Sequence, residues 1–259
     1  MITSVGPSPL DDPQTLPLLP TTAVMGFGST LVVAPHQDDE SLGCGGAIAL
    51  LRRAGIPVTV LFVSDGTGSH PNSRAYPPQR LCDTREAEAL AALALLGVRQ
   101  EAAIFLRLPD TAVPLPGQTD FAAAVERVGS ALDAAAPQTI LLPWRRDPHG
   151  DHRAAWALVH AALARKTIRP RLLEYPIWVW ELGEARDLPR PGEVMGWRLA
   201  IDEVASQKGA AIAAHRSQTT ALIADDPAGF RLLPRMLAHF AAPWEIYLES
   251  PAPEAGAAR

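Results

Sequence analysis

The chain of 259 residues sets 23 Lys and Arg against 28 Asp and Glu, for a formal net charge of −5, and 47% of it is hydrophobic. This suits a globular protein with a large core, in one large domain or two small ones, and excludes the basic footprint of a nucleic-acid binder. Two cysteines, Cys44 and Cys82, are too few for a disulfide scaffold and fit a reducing compartment.

Residues 1–26 read as an extended arm, broken by Pro7, Pro9, Pro13, Pro17 and Pro20. The first basic residue is Arg52. A secretory signal needs a basic stretch before an apolar one, so the expected location is cytoplasmic. No apolar run approaches the roughly 20 residues of a membrane span. TLVVAPH (30–36), PVTVLFVSD (57–65), AIFLRLPD (103–110) and TILLPW (139–144) are short apolar runs without alternation, as in strands buried on both faces of a parallel sheet. Helical patterns over 42–54, 80–96 and 119–135 lie between them, and Gly97 is placed to end the second. The alternation predicts an α/β, Rossmann-like doubly wound, mostly parallel sheet with helices on both faces, in a single domain over 27–250. Later come a helix over 152–166, a strand with aromatic surface over 172–182, a helix over 202–215 that Asp202 could cap, a helix over 229–240 and a strand over 244–249. Residues 251–259 read as a disordered tail.

Ligands of open α/β sheets bind beyond the carboxyl ends of the strands. His36, Asp38, Asp39 and Glu40 follow the first run directly, and RRDPHGDHR (145–153) follows the fourth. Parallel strands bring His36, Asp38 and Asp39 to one sheet edge with His149, Asp151 and His152. A divalent metal is the simplest reason to gather these groups, since it turns carboxylate repulsion into attraction. Imidazoles with a carboxylate suit zinc, one per chain, and admit Fe2+ or Co2+.

APHQDDE (34–40) with HGDH (149–152) resembles the LmbE-like, or PIG-L, family of zinc-dependent N-acetylglucosamine deacetylases. Gln37 stands where the family often has proline, and Gly150 fills a variable place. REAEALAALALLG (85–97), LPD (108–110) and HRSQ (215–218) are also similar. The resemblance implies that His36, Asp39 and His152 hold the metal and that Asp38 is the general base. His149 would face the oxyanion or protonate the leaving amine, as an imidazolium. Asp151 would orient an imidazole, and Glu40 would brace the loop or stand behind the ligands. Arg85 and Asp110 would contact sugar; alternatively, Arg85 pairs with Glu86 or Glu88 in solvent, and Asp110 caps a loop. The implied partner is a small N-acetylated amino sugar or glycoconjugate. A homo-oligomer is allowed, with the aromatic-rich 172–182 as its interface.

Other readings stay bland. Cys44 is a small buried residue, and Gly43, Gly45 and Gly46 let a helix come close, since dinucleotide-loop spacing is absent. His70 is read as a solvated histidine of the loop 64–78, His160 as a partly exposed helix histidine, and His215 as a partner of backbone or of a group behind the ligands. Trp178, Trp180 and Trp197 are read as core or interface. A non-catalytic binding module is the rival, but it predicts eroded ligands.

Overall fold

Successive residues of a strand face opposite ways, and Val32 indeed joins one hydrophobic cluster while Leu31 and Val33 join another. The computed structural model describes residues 8–251 and places eight strands in one sheet. They are β1 (Leu18–Leu19), β2 (Thr30–Ala34), β3 (Val58–Ser64), β4 (Ala103–Leu108), β5 (Thr139–Pro143), β6 (Arg171–Tyr175), β7 (Met195–Ala200) and β8 (Trp244–Glu249). The helices are α1 (Asp39–Arg53), α2 (Pro78–Leu95), α3 (Phe121–Ala135), α4 (Gly150–Ala164), α5 (Val179–Leu182), α6 (Ala205–Ala214), α7 (Arg216–Thr219) and α8 (Pro234–Ala238). The order across the sheet is β1-β7-β8-β6-β5-β2-β3-β4. Only β8 runs antiparallel to its neighbours, β6 and β7. Apolar side chains of α1, α2 and α6 pack on one face of the sheet, and those of α3 and α4 on the other. This is the doubly wound arrangement that the alternating runs predict.

From β2 the chain proceeds outward through β3 to β4, then returns to lay β5 against the other side of β2. Thr30, Leu31 and Val32 pair with Thr139, Ile140 and Leu141. The strand order therefore reverses between β2 and β5, where crevices form in such sheets.

The differences from the sequence reading have local causes. The helix expected over 229–240 is confined to Pro234–Ala238. Pro234 favours a first helical turn but biases the residue before it towards extended backbone, so the helix begins there. Asp202 opens a 3-10 turn and makes no side-chain cap. β1 has two residues, too few to show a pattern, and β7 is interrupted by Gly196 and Arg198. Of the arm, residues 8–26 hold β1, paired with β7, and 3-10 turns at Pro13–Thr15 and Thr21–Gly26. Apart from Pro251, the expected tail lies outside the described residues.

α1 sits tightly on the sheet through its glycines. A Cβ at Gly43 would lie 2.4 Å from the Tyr175 ring, and one at Gly46 would lie 2.5 Å from Ile201. The close approach is thus to the sheet side of the helix. Tyr175 in turn donates its hydroxyl to the Val33 carbonyl at 2.6 Å. Gly209 in α6 has no such neighbour within 4 Å. Gly46→Ala is expected to destabilise by about 1–2 kcal/mol, overpacking outweighing the helix-propensity gain. Gly209→Ala is expected to stabilise by about 0.5–1 kcal/mol. Urea midpoints of the two variants should move in opposite directions at unchanged slope; a shared direction would contradict the packing account.

Candidate active site

The loop after β2 delivers His36 and leads into α1, so Asp38 is the residue preceding the helix while Asp39 and Glu40 lie in its first turn. A helix N-terminus favours negative charge, which offsets part of the repulsion among three consecutive acids. The loop after β5 leads into α4 in the same way, with His149 preceding the helix and Asp151 in its first turn. The reversal between β2 and β5 brings these two helix starts together. His36 and His149 have ring centroids 4.7 Å apart, His149 and His152 5.2 Å, and His36 and His152 5.4 Å.

Asp39 Oδ2 lies 3.3 Å from His36 Nδ1 and 3.2 Å from His152 Nε2. Neither ring nitrogen of His152 has a hydrogen-bond partner among the described residues, although the side chain is fully buried. Donors each about 2.0–2.1 Å from a tetrahedral zinc stand about 3.3–3.4 Å apart, so this spacing fits a metal. On the far side of the His36 ring, Nε2 lies 3.1 Å from Asp151 Oδ2 and 3.1 Å from Asp110 Oδ1. A proton held there leaves the Nδ1 lone pair for a metal, the usual way a carboxylate sets the tautomer of a ligand histidine. Behind His152, Asp147 Oδ1 lies 3.4 Å from Nδ1.

Asp147 is a residue the sequence reading missed. It is fully buried and accepts from the amides of His149 and Trp178. Its place two residues before His149, at the start of HGDH, was the available signal.

Among the described residues, two sets have ligand atoms that all lie within 4.8 Å of one another, His36 with His149 and His152, and His36 with Asp110 and Asp151, while Asp39 contacts two of these rings without completing such a set. His149 differs from the other imidazoles in its hydrogen bonding. Its Nδ1 accepts the Asp151 amide at 3.2 Å, so a neutral ring carries its proton on Nε2 and offers no free lone pair. Burial, and then the neighbouring His152 and His36, push its pKa down to about 4. Both contacts favour a neutral ring with its proton on Nε2 over the expected imidazolium.

Arg85 is also corrected. It is buried and not paired with Glu86 or Glu88, which bind Arg107 and Ser217. Its guanidinium donates to the Gly66 and Gln37 carbonyls at 3.1 and 3.0 Å and stands 3.5 Å from Asp38 Oδ2. Asp38 is pushed up to about 6 by burial, against the pull of Arg85 and with added repulsion from Asp39. Asp110 has both oxygens engaged, one near His36 and the other accepting the Gly68 amide at 2.8 Å. Glu40 accepts the Asp38 amide at 3.0 Å and lies 2.9 Å from His215 Nε2. His215 thus stands behind the loop, on Glu40. His70 is buried against Gly229, not solvated, because the loop before α2 is tied to 225–230, for instance by Phe230 N donating to the Ser69 carbonyl at 2.6 Å. His160 is half-buried and stacks on Trp156. Cys44 and Trp197 are in the core.

A cavity of about 350 Å³ opens over this cluster, lined by His36, Asp38, Arg85, Asp110 and His149 on its polar part. The model of the PIG-L family, GlcNAc-PI de-N-acetylase, matches residues 31–163, a little over half of the chain and the whole span that carries these groups. The chain belongs to the PIG-L family. It is thus an enzyme of a deacetylase family. A relative in Bacillus subtilis strain 168, "Probable N-acetyl-alpha-D-glucosaminyl L-malate deacetylase 2", is 31% identical over 201 residues, 74% of this chain and 84% of that protein. The protein of the same name in Bacillus cereus is 29% identical over 206 residues, 75% and 86% of the two chains. Among solved structures, the zinc-inhibited form of teicoplanin deacetylase Orf2 has a TM-score of 0.63 at 18% identity, covering 88% of this chain and 99% of that one. GalB, a 4-carboxy-2-hydroxymuconate hydratase from a Pseudomonas strain, has a TM-score of 0.60 at 20% identity, covering 90% and 99%. These two likenesses establish a shared fold and leave the reaction to the side chains. Among the described residues no helix is long and apolar enough to cross a membrane.

Without metal, His152 is pushed up to about 9: burial opposes the charge, but Asp39 and Asp147 outweigh it. His36 is likewise raised well above its ordinary value, its carboxylate neighbours overcoming burial. Both rings therefore hold protons at neutral pH, and a metal must displace them. Zinc titration of chelator-treated protein is expected to saturate at one equivalent and to release about two protons at pH 7. Calorimetry in buffers of different ionisation enthalpy reads the protons. Asp147→Asn is expected to weaken zinc binding by about 10–100-fold, and His152→Ala to abolish it; full affinity in either would remove that residue from the site.

Proposed function

We propose that the protein is a metal-dependent N-deacetylase that removes the acetyl group from an N-acetylglucosamine-containing substrate, with His36, Asp39 and His152 as ligands and Asp38 as general base. The observation that carries the reading is the division of labour between adjacent acids. Asp39 faces two imidazoles, while Asp38 faces the cavity and Arg85. The names of the Bacillus relatives support a glucosaminide as the substrate class.

Zinc held by these three side chains would supply a Lewis acid and would lower the pKa of a water to roughly 7. Fe2+ or Co2+ suits the same donors. Asp38 takes the proton of the attacking water, for which a carboxylate near pKa 6 is well placed at neutral pH, and returns it to the sugar nitrogen as the bond from that nitrogen to the acetyl carbon breaks. The Nε2–H of His149 donates to the carbonyl oxygen as negative charge develops there, a role that needs no charged ring. Asp110 and Asp151 hold His36, and Asp147 holds His152. Arg85 keeps Asp38 ionised and in place, and as a lining residue of the cavity it also stands within reach of the sugar.

The deciding assay is amine release from N-acetylglucosamine and its 1-O-glycosides, with metal analysis on the same sample. One metal per chain with turnover supports the reading. Bound metal without turnover of any glucosaminide points to another amide, and no metal binding after added zinc points to a binding module.

Asp38→Asn should retain metal and lose turnover by about 100-fold or more; near-normal turnover would refute the base assignment. The acid limb of kcat/KM should have an apparent pKa no higher than about 6, because the carboxylate must be ionised and a bound cation lowers its pKa further. Arg85 lowers the Asp38 pKa, so Arg85→Gln should move that limb to higher pH and Arg85→Lys should largely restore it. An unmoved limb in Arg85→Gln would separate Arg85 from the base.

A further inference from the structure

The cavity over the histidines has a second part that the deacetylation chemistry does not use. Trp178, Leu182, Phe230 and Met236 line it. Trp178 and Leu182 come from the start and end of α5, Met236 from α8, and Phe230 from the stretch before α8. The Trp178 and Phe230 rings meet edge to face at 5.6 Å. α5 and α8 are joined by Glu181, which pairs with Arg235 and His239 at 3.3 and 3.2 Å. Leu182 is 59% exposed. A wall of Trp, Phe, Met and an exposed Leu around a catalytic cavity is the composition of a seat for apolar groups.

The polar atoms within it are neutral. Trp178 Nε1 and Gln218 Oε1 are buried and have no hydrogen-bond partner among the described residues. They offer one donor and one acceptor. Arg85, the guanidinium among the lining residues, spends both terminal nitrogens on two carbonyls and faces Asp38, which offsets its charge; its Nε is buried and has no hydrogen-bond partner among the described residues. Arg231 is exposed and lines the neighbouring cavity instead. A carboxylate on the substrate would meet, among the residues lining this cavity, no lysine and one arginine, whose charge Asp38 already offsets.

Resting on the deacetylase reading, we propose that the amino sugar accepted here carries an uncharged apolar substituent of several carbons, seated on Trp178, Leu182, Phe230 and Met236. The chain therefore differs in specificity from a malate-conjugate deacetylase. The same chemistry can reach the seat as an aglycone on the anomeric oxygen or as an N-acyl chain longer than acetyl.

The test compares kcat/KM of the zinc-loaded protein for five compounds: N-acetylglucosamine, the α and β anomers of its octyl glycoside below the micellar concentration, its malyl glycoside, and N-octanoylglucosamine. An octyl-bearing compound should exceed both free N-acetylglucosamine and the malyl glycoside by at least about tenfold. Whether the octyl glycoside or N-octanoylglucosamine gains the advantage identifies its source. Leu182→Ser should cut the ratio of octyl to free sugar several-fold. A malyl glycoside equal to or better than all three octyl-bearing compounds overturns the proposal and leaves the deacetylase reading standing. If no compound is turned over, the deacetylase reading fails, and tryptophan fluorescence titration tests the seat by itself. Binding of the octyl glycoside at least about tenfold tighter than the free sugar, weakened in Leu182→Ser, sustains an apolar seat; equal binding overturns it.

Discussion

The parallel pairing of β2 with β5 holds together two half-sites more than one hundred residues apart in the chain. Each strand ends in a polar loop, and each loop opens a helix. Without that pairing, His36 and Asp39 would have no relation to His149 and His152. The pairing is buried on both faces, by α1, α2 and α6 on one side and by α3 and α4 on the other. The core thus stabilises the placement of groups that could not hold themselves in place. Buried carboxylates and imidazoles lose solvation, and only mutual contacts, helix N-termini and a bound cation restore it.

The histidines divide according to what their second nitrogen touches. His36 has carboxylates beyond its ring, and so does His152, so each can present a lone pair while its other nitrogen keeps a proton. His149 has a backbone amide at Nδ1 and can only donate from Nε2. Three imidazoles within a few ångströms therefore have two different chemistries, set by contacts outside the cavity. A similar division separates Asp38 from Asp39, adjacent in sequence and facing different neighbours.

Much of this was legible in the chain. Buried parallel strands lack alternation, so 30–36, 57–65, 103–110 and 139–144 stood out, and their carboxyl ends led directly to the polar clusters. What was not legible depends on long-range neighbours. Arg85 looks like any helix arginine until Gly66 and Gln37 present their carbonyls to it. Asp110 follows a strand as a loop cap would, and only the fold brings it to His36. Asp147 lay in plain view among charged residues, but its burial beneath Ile177 and Trp178 is a tertiary fact. The protonation of His149 turns on one amide two residues away, which spacing alone does not reveal.

The two parts of the cavity are attached to the fold in unequal ways. The clustered histidines and carboxylates hang from the central strands and from a helix that Gly43 and Gly46 seat closely on Tyr175 and Ile201, so a change there is felt in the core. The apolar wall is carried by α5 and α8, four and five residues long, joined by partly exposed ion pairs at Glu181. Mutational drift is thus channelled. A lineage can exchange the exposed Leu182 at little cost to folding, while the buried histidines and carboxylates are inherited almost intact. One scaffold could diversify over many glycoconjugates in this way without reinventing its chemistry.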